Sequence, residues 1–219
     1  MSKKITAVIP IKMNSKRLQK KNIKLLYGKP LIHYIQETLL CSNRFDSINV
    51  YCSDEAITEY LLDGVTFIKR SKELDADTSN FSQIFSQFSS IYASDLYVYA
   101  HATSPYTTVD TINECLNAVI EGGYDSAFCA QKIQDYLWKD GNPLNFSPDN
   151  LPRSQDIEPI YRETSSIYVF SMDVFRNHNR RIGTNPYIKT VSFRESIDIN
   201  TLEDFKLAEL LYEQKELFS

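Results

Sequence analysis

Ile5–Pro10 reads ITAVIP, and the fold class turns on how these six residues are understood. The run is apolar, rich in β-branched side chains and closed by proline. That pattern predicts a strand buried on both faces, as in a parallel sheet. A polar, basic stretch follows it, and then PLIHYIQETLLCS (Pro30–Ser42). Proline suits a first helical turn, and Leu31, Ile35 and Leu39 recur on one helical face. SINVYC (Ser47–Cys52) and GVTFIK, around Thr66, predict the second and third strands. SNFSQIFSQFSSIY predicts an amphipathic helix carrying Phe81, Ile84, Phe85, Phe88 and Ile91. LYVYAHA (Leu96–Ala102) is the next strand, Thr103-Ser104-Pro105 breaks it, Thr111–Glu121 is helical and SAFCAQ, from Ser126, is again a strand.

Strand alternating with helix over about 130 residues implies a doubly wound α/β fold, a mainly parallel sheet with helices on both faces. From Tyr136 to about Tyr161 the pattern stops, and Pro, Asn, Asp and the only tryptophan (Trp138) appear. This reads as an arm inserted at about 133–164 into a single domain of 219 residues. SSIYVFS and IKTVSF resume as strands. The chain closes with a helix from Thr201 to about Leu217, with Thr201 and Asp204 as a capping pair.

Composition narrows the function classes. Apolar residues make up 42% and charged residues 24%, a globular balance. No apolar run approaches the roughly 20 residues needed to span a bilayer, and no apolar segment of signal-peptide length follows the N-terminal lysines. Cys41, Cys52, Cys115 and Cys129 show no CxxC spacing, so a disulfide framework or zinc site is not expected. A cytoplasmic location is expected. Nine of the 24 basic side chains and none of the 28 acidic ones fall in residues 1–36. The remainder, with 15 basic against 28 acidic groups, carries a net charge of −13. That asymmetry points to an anion site near the N-terminal end, whereas a sequence pI near 5.5 argues against nucleic acid.

In a doubly wound sheet, ligands bind at the carboxyl ends of the strands. Four polar segments lie where this rule directs attention. Lys12-Met13-Asn14-Ser15-Lys16-Arg17, with Lys20, Lys21 and Asn22, follows the first strand and can supply positive charge to a triphosphate. It contains no glycine and is neither a Walker A loop nor a GxGxxG fingerprint; on composition alone it is a solvated basic loop. His101-Thr103-Ser104 ends another strand and offers an imidazole and hydroxyls, or turn caps. Asp198 and Asn200, two apart on an extended segment, share one face and suit Mg²⁺ held with substrate phosphates, unless Asn200 only caps the last helix. Arg153 and Arg162 flank Gln155-Asp156-Ile157-Glu158-Pro159. They can grip a carboxylate in bidentate fashion or serve as surface ion pairs.

In this order the segments resemble the cytidylyltransferases that activate acylneuraminates and related nonulosonic acids. The family's I-P-A-R-G-G-S-K-x-x-x-x-K-N corresponds to Ile9 through Lys16, with Lys21-Asn22. Its Q-P-T-S-P corresponds to His101–Pro105, its R-x-Q-x-x-x-x-x-Y-R-E-N to Arg153 through Thr164, and its S-I-D-I-D-T-x-x-D to Ser196 through Asp204. The resemblance implies a Rossmann-like nucleotidyltransferase that moves CMP from CTP to an acidic sugar and releases pyrophosphate. It implies nucleotide contacts from Ile11, Lys12, Met13, Asn14, Lys16, Asn22, Arg70, Ser79 and Asn80, and a catalytic role for Lys21 and Asp198. His101, Thr103, Ser104, Arg153, Gln155 and Arg162 would meet the acid. Asp198 and Asn200 would hold Mg²⁺ or Mn²⁺, and the arm would make a homodimer.

Several positions depart from the family pattern. Lys12 replaces an arginine and His101 a glutamine, Thr107 stands where an arginine is common, and Thr164 replaces an asparagine. Asn200 replaces the second metal aspartate, giving an oxygen ligand without its charge. These departures leave open a cytidylyltransferase for another small acid, such as a phosphonate or a phosphorylated metabolite, or a non-catalytic nucleotide-binding protein.

Overall fold

The computed structural model describes residues 3–214. ITAVIP lies within β1 (Ile5–Ile11), nearly all of whose side chains are buried. A basic loop and a single 3₁₀ turn follow, then the hairpin of β2 (Leu25–Leu26) and β3 (Lys29–Pro30). Tyr27 and Gly28, both at positive φ, turn that hairpin as a two-residue primed turn requires. It delivers the chain to α1 (Leu31–Ser42), whose first helical residue follows Pro30. β4 (Ser47–Cys52), β5 (Val65–Lys69), α2 (Phe81–Ile91), β6 (Leu96–Ala100), α3 (Val109–Ile120) and β7 (Ser126–Ile133) come next.

The arm carries the short β8 (Trp138–Lys139) and β9 (Asn142–Pro143). β10 (Ile160–Ser171), α4 (Met172–His178), β11 (Pro186–Thr190) and α5 (Leu202–Glu213) complete the chain. The helix expected to continue to Leu217 is described to Glu213, and the rest of that expectation lies outside the described residues. The strand expected over IKTVSF ends at Thr190, and Val191 to Phe193 lead into the closing segment.

Seven strands form one sheet in the order β11-β7-β10-β6-β1-β4-β5. β1 pairs in parallel with β4 and β6, and β10 is antiparallel to both β6 and β7. The sheet is therefore mainly parallel, as the alternating pattern predicts. The strand expected from Ser165 starts five residues earlier, at Ile160, so β10 runs straight out of the arm. An irregularity in register between Glu163 and Tyr168 accompanies that passage.

The two faces of the sheet have different chemistry. Ile5, Ala7, Ile9 and Ile11 of β1, with Val50, Val98 and Val169, pack beneath α1 and α3 as an aliphatic layer. Tyr51, Tyr97, Tyr99, Tyr168 and Phe170 project to the opposite side and meet Phe85 and Phe88 of α2 and Phe175 of α4. The alternation in LYVYA is this division, because successive strand residues point to opposite faces. Phe85 stands edge-on to Tyr97, Phe170 and Phe175, with ring centres 4.7–4.9 Å apart. Ile91, grouped with this face by helical spacing, is 55% exposed at the end of α2. A third cluster joins Leu26, Leu31 and Tyr34 to Ile197, Ile199 and Phe205. It pins the segment before α5 beside the loop after β1.

Candidate active site

The third cluster creates the site. Ile197 and Ile199 are buried, so alternation on the extended segment sends Asp198 and Asn200 the other way. Ile199 donates its N–H to the Thr103 carbonyl at 2.8 Å, tying this segment to the turn after β6. On the other side the Lys21 ammonium donates to the Ile199 carbonyl at 2.7 Å and to Asn200 Oδ1 at 3.3 Å. Asn22 Nδ2 donates to the Lys12 carbonyl at 3.1 Å and closes the basic loop on itself. Three polar segments that are remote in sequence thus meet at one end of the sheet.

Asn200 is the junction. Its Oδ1 accepts from Lys21 and, at 2.9 Å, from Arg17, while its Nδ2 donates to Asp198 Oδ2 at 2.7 Å. Its backbone N–H and that of Thr201 donate to Asp204, whose carboxyl is held low chiefly by these bonds against its own burial. Thr201 and Asp204 form the expected capping box, so the cap of α5 is Thr201 and Asn200 is left for the network. Lys21 is buried, and desolvation lowers its pKa against the opposing pull of Asp198.

Two cavities adjoin Asn200. One, of about 290 Å³, is walled by Lys12, Asn14, Lys16, Arg17, Lys21 and Asp77. The other, of about 380 Å³, is walled by Arg162, Glu163, Thr164, Phe193, Asp198 and Leu207 among others. The first concentrates positive charge at a strand end, the arrangement an anion of several charges needs. The second sets one guanidinium, that of Arg162, among three carboxylates with apolar and hydroxyl groups.

The remaining predicted residues distribute as follows. Ile11 is buried in the aliphatic core, so only its backbone is available to a ligand. Met13 leans on the same core. Arg70, directly after β5, is buried against Tyr51 and paired with Asp75, and its backbone N–H donates to the Cys52 carbonyl at the end of β4. Ser79 precedes Asn80, which caps α2 through a capping box, and neither lines the two cavities. Ser104 is buried within the turn after β6, where its carbonyl accepts from Thr107. Arg153, 74% exposed, pairs with Asp156 on the arm, and Gln155 gives its carbonyl to Gln134. These two do not reach either cavity of their own chain. Thr164, the replacement for asparagine beside Arg162, bonds to the Cys129 carbonyl and to Ser166, a strand-stapling role.

Reading the sequence missed Asp77. Its carboxylate pairs with Lys12 at 2.9 Å and also with Lys16, and hydrogen bonds from the two hold its carboxyl down to about 2. Nothing in the local pattern marks it, because the partners lie more than 60 residues apart. Among the described residues no cluster of three His, Cys, Asp or Glu side chains could hold a metal. Asp198 Oδ1 is buried without a partner, which fits one oxygen ligand of a cation shared with phosphates. Asn200 Oδ1 faces two cationic donors instead.

Asp77 competes with any incoming anion for Lys12 and Lys16. Asp77→Asn should therefore tighten binding of inorganic triphosphate about threefold, an effect that fades in high salt, measurable by calorimetry. His101 has an unpartnered Nε2, and burial, then Arg181, push its imidazole down to about 4. The unfolded chain protonates first as pH falls below about 6.5, so stability should drop from there towards pH 4. Between pH 7.5 and 5 the unfolding free energy of the wild type should fall by roughly 1 to 2 kcal/mol more than that of His101→Gln.

Residues 6–218 match a family model described as cytidylyltransferase. The N-acylneuraminate cytidylyltransferase A of Danio rerio is 29% identical over 218 residues, 95% of this chain and 50% of that protein. A pseudaminic acid cytidylyltransferase of Campylobacter jejuni subsp. jejuni serotype O:2 is 26% identical and is covered to 94%, as is this chain. The chain spans about half the length of the first curated relatives it matches. Among solved structures, CMP:2-keto-3-deoxy-manno-octonic acid synthetase complexed with CTP superposes with a TM-score of 0.71 at 15% identity, over 97% of this chain and 99% of the other. The synthase of 4-diphosphocytidyl-2C-methyl-D-erythritol from Anaerococcus prevotii gives 0.67 at 13%, over 97% and 99%. The fold is thus that of nucleotidyltransferases, and the chain belongs to the cytidylyltransferase family.

Proposed function

We propose that this chain transfers the cytidylyl group of CTP to a hydroxyl of an acidic sugar of the nonulosonic class and releases pyrophosphate. The observation that carries the reading is the meeting of two cavities at Asn200, one lined by cations and the other holding Arg162. The family match and the named activities of the relatives support the chemistry.

In the reaction the acceptor oxygen bonds to the α-phosphorus as the bond to the oxygen bridging the β-phosphate breaks. The hydroxyl loses its proton, and pyrophosphate leaves with the bonding electron pair. The protein's contribution is placement and charge stabilisation. Lys12, Lys16, Arg17 and Lys21 take the triphosphate, and Asn14 and Asn22 shape the loop around it. Arg162, which donates to the neutral Gln131 at 2.6 Å, is available to the acid's carboxylate. His101 and Thr103, expected to meet the acid, line neither cavity; Thr103 acts through its carbonyl, which accepts from Ile199 and holds the segment that carries Asp198. Asp198 would hold Mg²⁺ or Mn²⁺ through its unpartnered oxygen, and the ion's chemistry is to neutralise phosphate charge. Asn200 then acts by orienting Asp198 and Lys21 more than by ligating.

Two further parts of the reading rest on less. Trp138, Leu144 and Leu151 are exposed on the arm, which supports its use in pairing two copies. The four cysteines are free, as in a reducing compartment, and no helix among the described residues is long and apolar enough to cross a membrane. We place the reaction in the cytoplasm.

Arg162→Ala separates the two cavities kinetically. It should raise KM for the acid about tenfold or more while leaving KM for CTP within about twofold. An equal rise for CTP would assign Arg162 to the phosphates and overturn the division.

A further inference from the structure

The second cavity is electrostatically unsuited to an acid at first sight. Three carboxylates, Glu163, Asp198 and Asp204, line it against one guanidinium, that of Arg162. Two of the three are engaged within the site. Asp204 accepts two backbone N–H bonds at the head of α5, and Asp198 accepts from Asn200. Glu163 is adjacent to Arg162 in sequence and lines the same cavity, where a free negative charge would repel a carboxylate and weaken Arg162's field.

Glu163 is answered from outside the cavity. Arg181, in the loop between α4 and β11, donates from Nη2 to Glu163 Oε1 at 3.3 Å. The Tyr168 hydroxyl donates to the same oxygen. The Arg181 guanidinium carbon lies 3.5 Å from the centre of the Tyr168 ring and 5.4 Å from that of Phe81, so the aromatic layer holds it in place. Arg181 is only a quarter exposed and does not line the cavity. Among the described residues Arg162 has no carboxylate partner.

We propose that Arg181 is a positioning residue for the acid substrate. By neutralising Glu163 it leaves Arg162 as the one uncompensated cation facing the acid's carboxylate. The inference rests on the proposed function, which assigns this cavity to an acid. It adds a residue from a different element, one that never meets the substrate.

The test is a double-mutant cycle on the full chain, with CTP and whichever of N-acetylneuraminic, legionaminic or pseudaminic acid the wild type turns over. Arg181→Met should raise KM for the acid about tenfold and leave KM for CTP within about twofold. Arg181→Met combined with Glu163→Gln should return KM for the acid to within about threefold of wild type, because the charge that needed an answer is gone. Arg181→Lys, which keeps the charge, should stay within the same range. A structural role through stacking on Tyr168 would not be relieved by Glu163→Gln. An unchanged acid KM in Arg181→Met, or no recovery in the double variant, would overturn the proposal while wild-type turnover left the function standing. If the wild type turned over none of the three acids, both would fall.

Discussion

The buried ammonium of Lys21 is the contact on which the site depends. Taking a cation out of water is costly unless its donors are met, and here the Ile199 carbonyl and Asn200 Oδ1 meet two of the three. The same bond joins the loop after β1 to the segment before α5, nearly 180 residues away. Asn200, one of the two acceptors, lines both the cation-lined cavity and the cavity holding Arg162. The aliphatic cluster of Leu26, Leu31, Ile197 and Ile199 sets the two segments side by side, and the polar contact fixes their register.

Several charges in this site are met by groups from distant parts of the chain. Asp77 answers Lys12 and Lys16, Asp204 answers backbone donors, and Arg181 answers Glu163. Asn200 bridges two cations and one carboxylate without adding charge of its own. An aspartate at that position would face Arg17 and Lys21 directly and repel Asp198. In this chain the amide is therefore consistent with its surroundings.

Much of this was legible in the sequence because strands and helices write their burial as periods of 2 and 3.6 residues. ITAVIP and LYVYA gave away β1 and β6, and the phenylalanines of Phe81–Phe88 marked the helix that covers the aromatic face. The order of the polar segments at strand ends identified the family. What escaped was non-local. The pairing of Asp77 with two lysines has no periodic trace, and neither has the reach of Arg181 to Glu163. The antiparallel course of β10 was hidden as well, since apolar alternation in SSIYVFS says nothing about direction. Arg153 looked like a partner of Arg162 from spacing alone, yet the arm carries it away from both cavities of its own chain.

The central claim is that two cavities meeting at Asn200 join CTP to an acid. It is tested most directly by pyrophosphate release from CTP, UTP, ATP and GTP in turn, with Mg²⁺ and a panel of acids. The panel should span N-acetylneuraminic, legionaminic, pseudaminic and 3-deoxy-octulosonic acids and a few phosphonates. The account predicts release with CTP far above the other nucleotides, dependent on one of the three nonulosonic acids, with the CMP adduct seen by mass spectrometry. Release with a phosphonate alone would contradict the sugar assignment, and CTP binding without release on any acid would contradict the transfer itself.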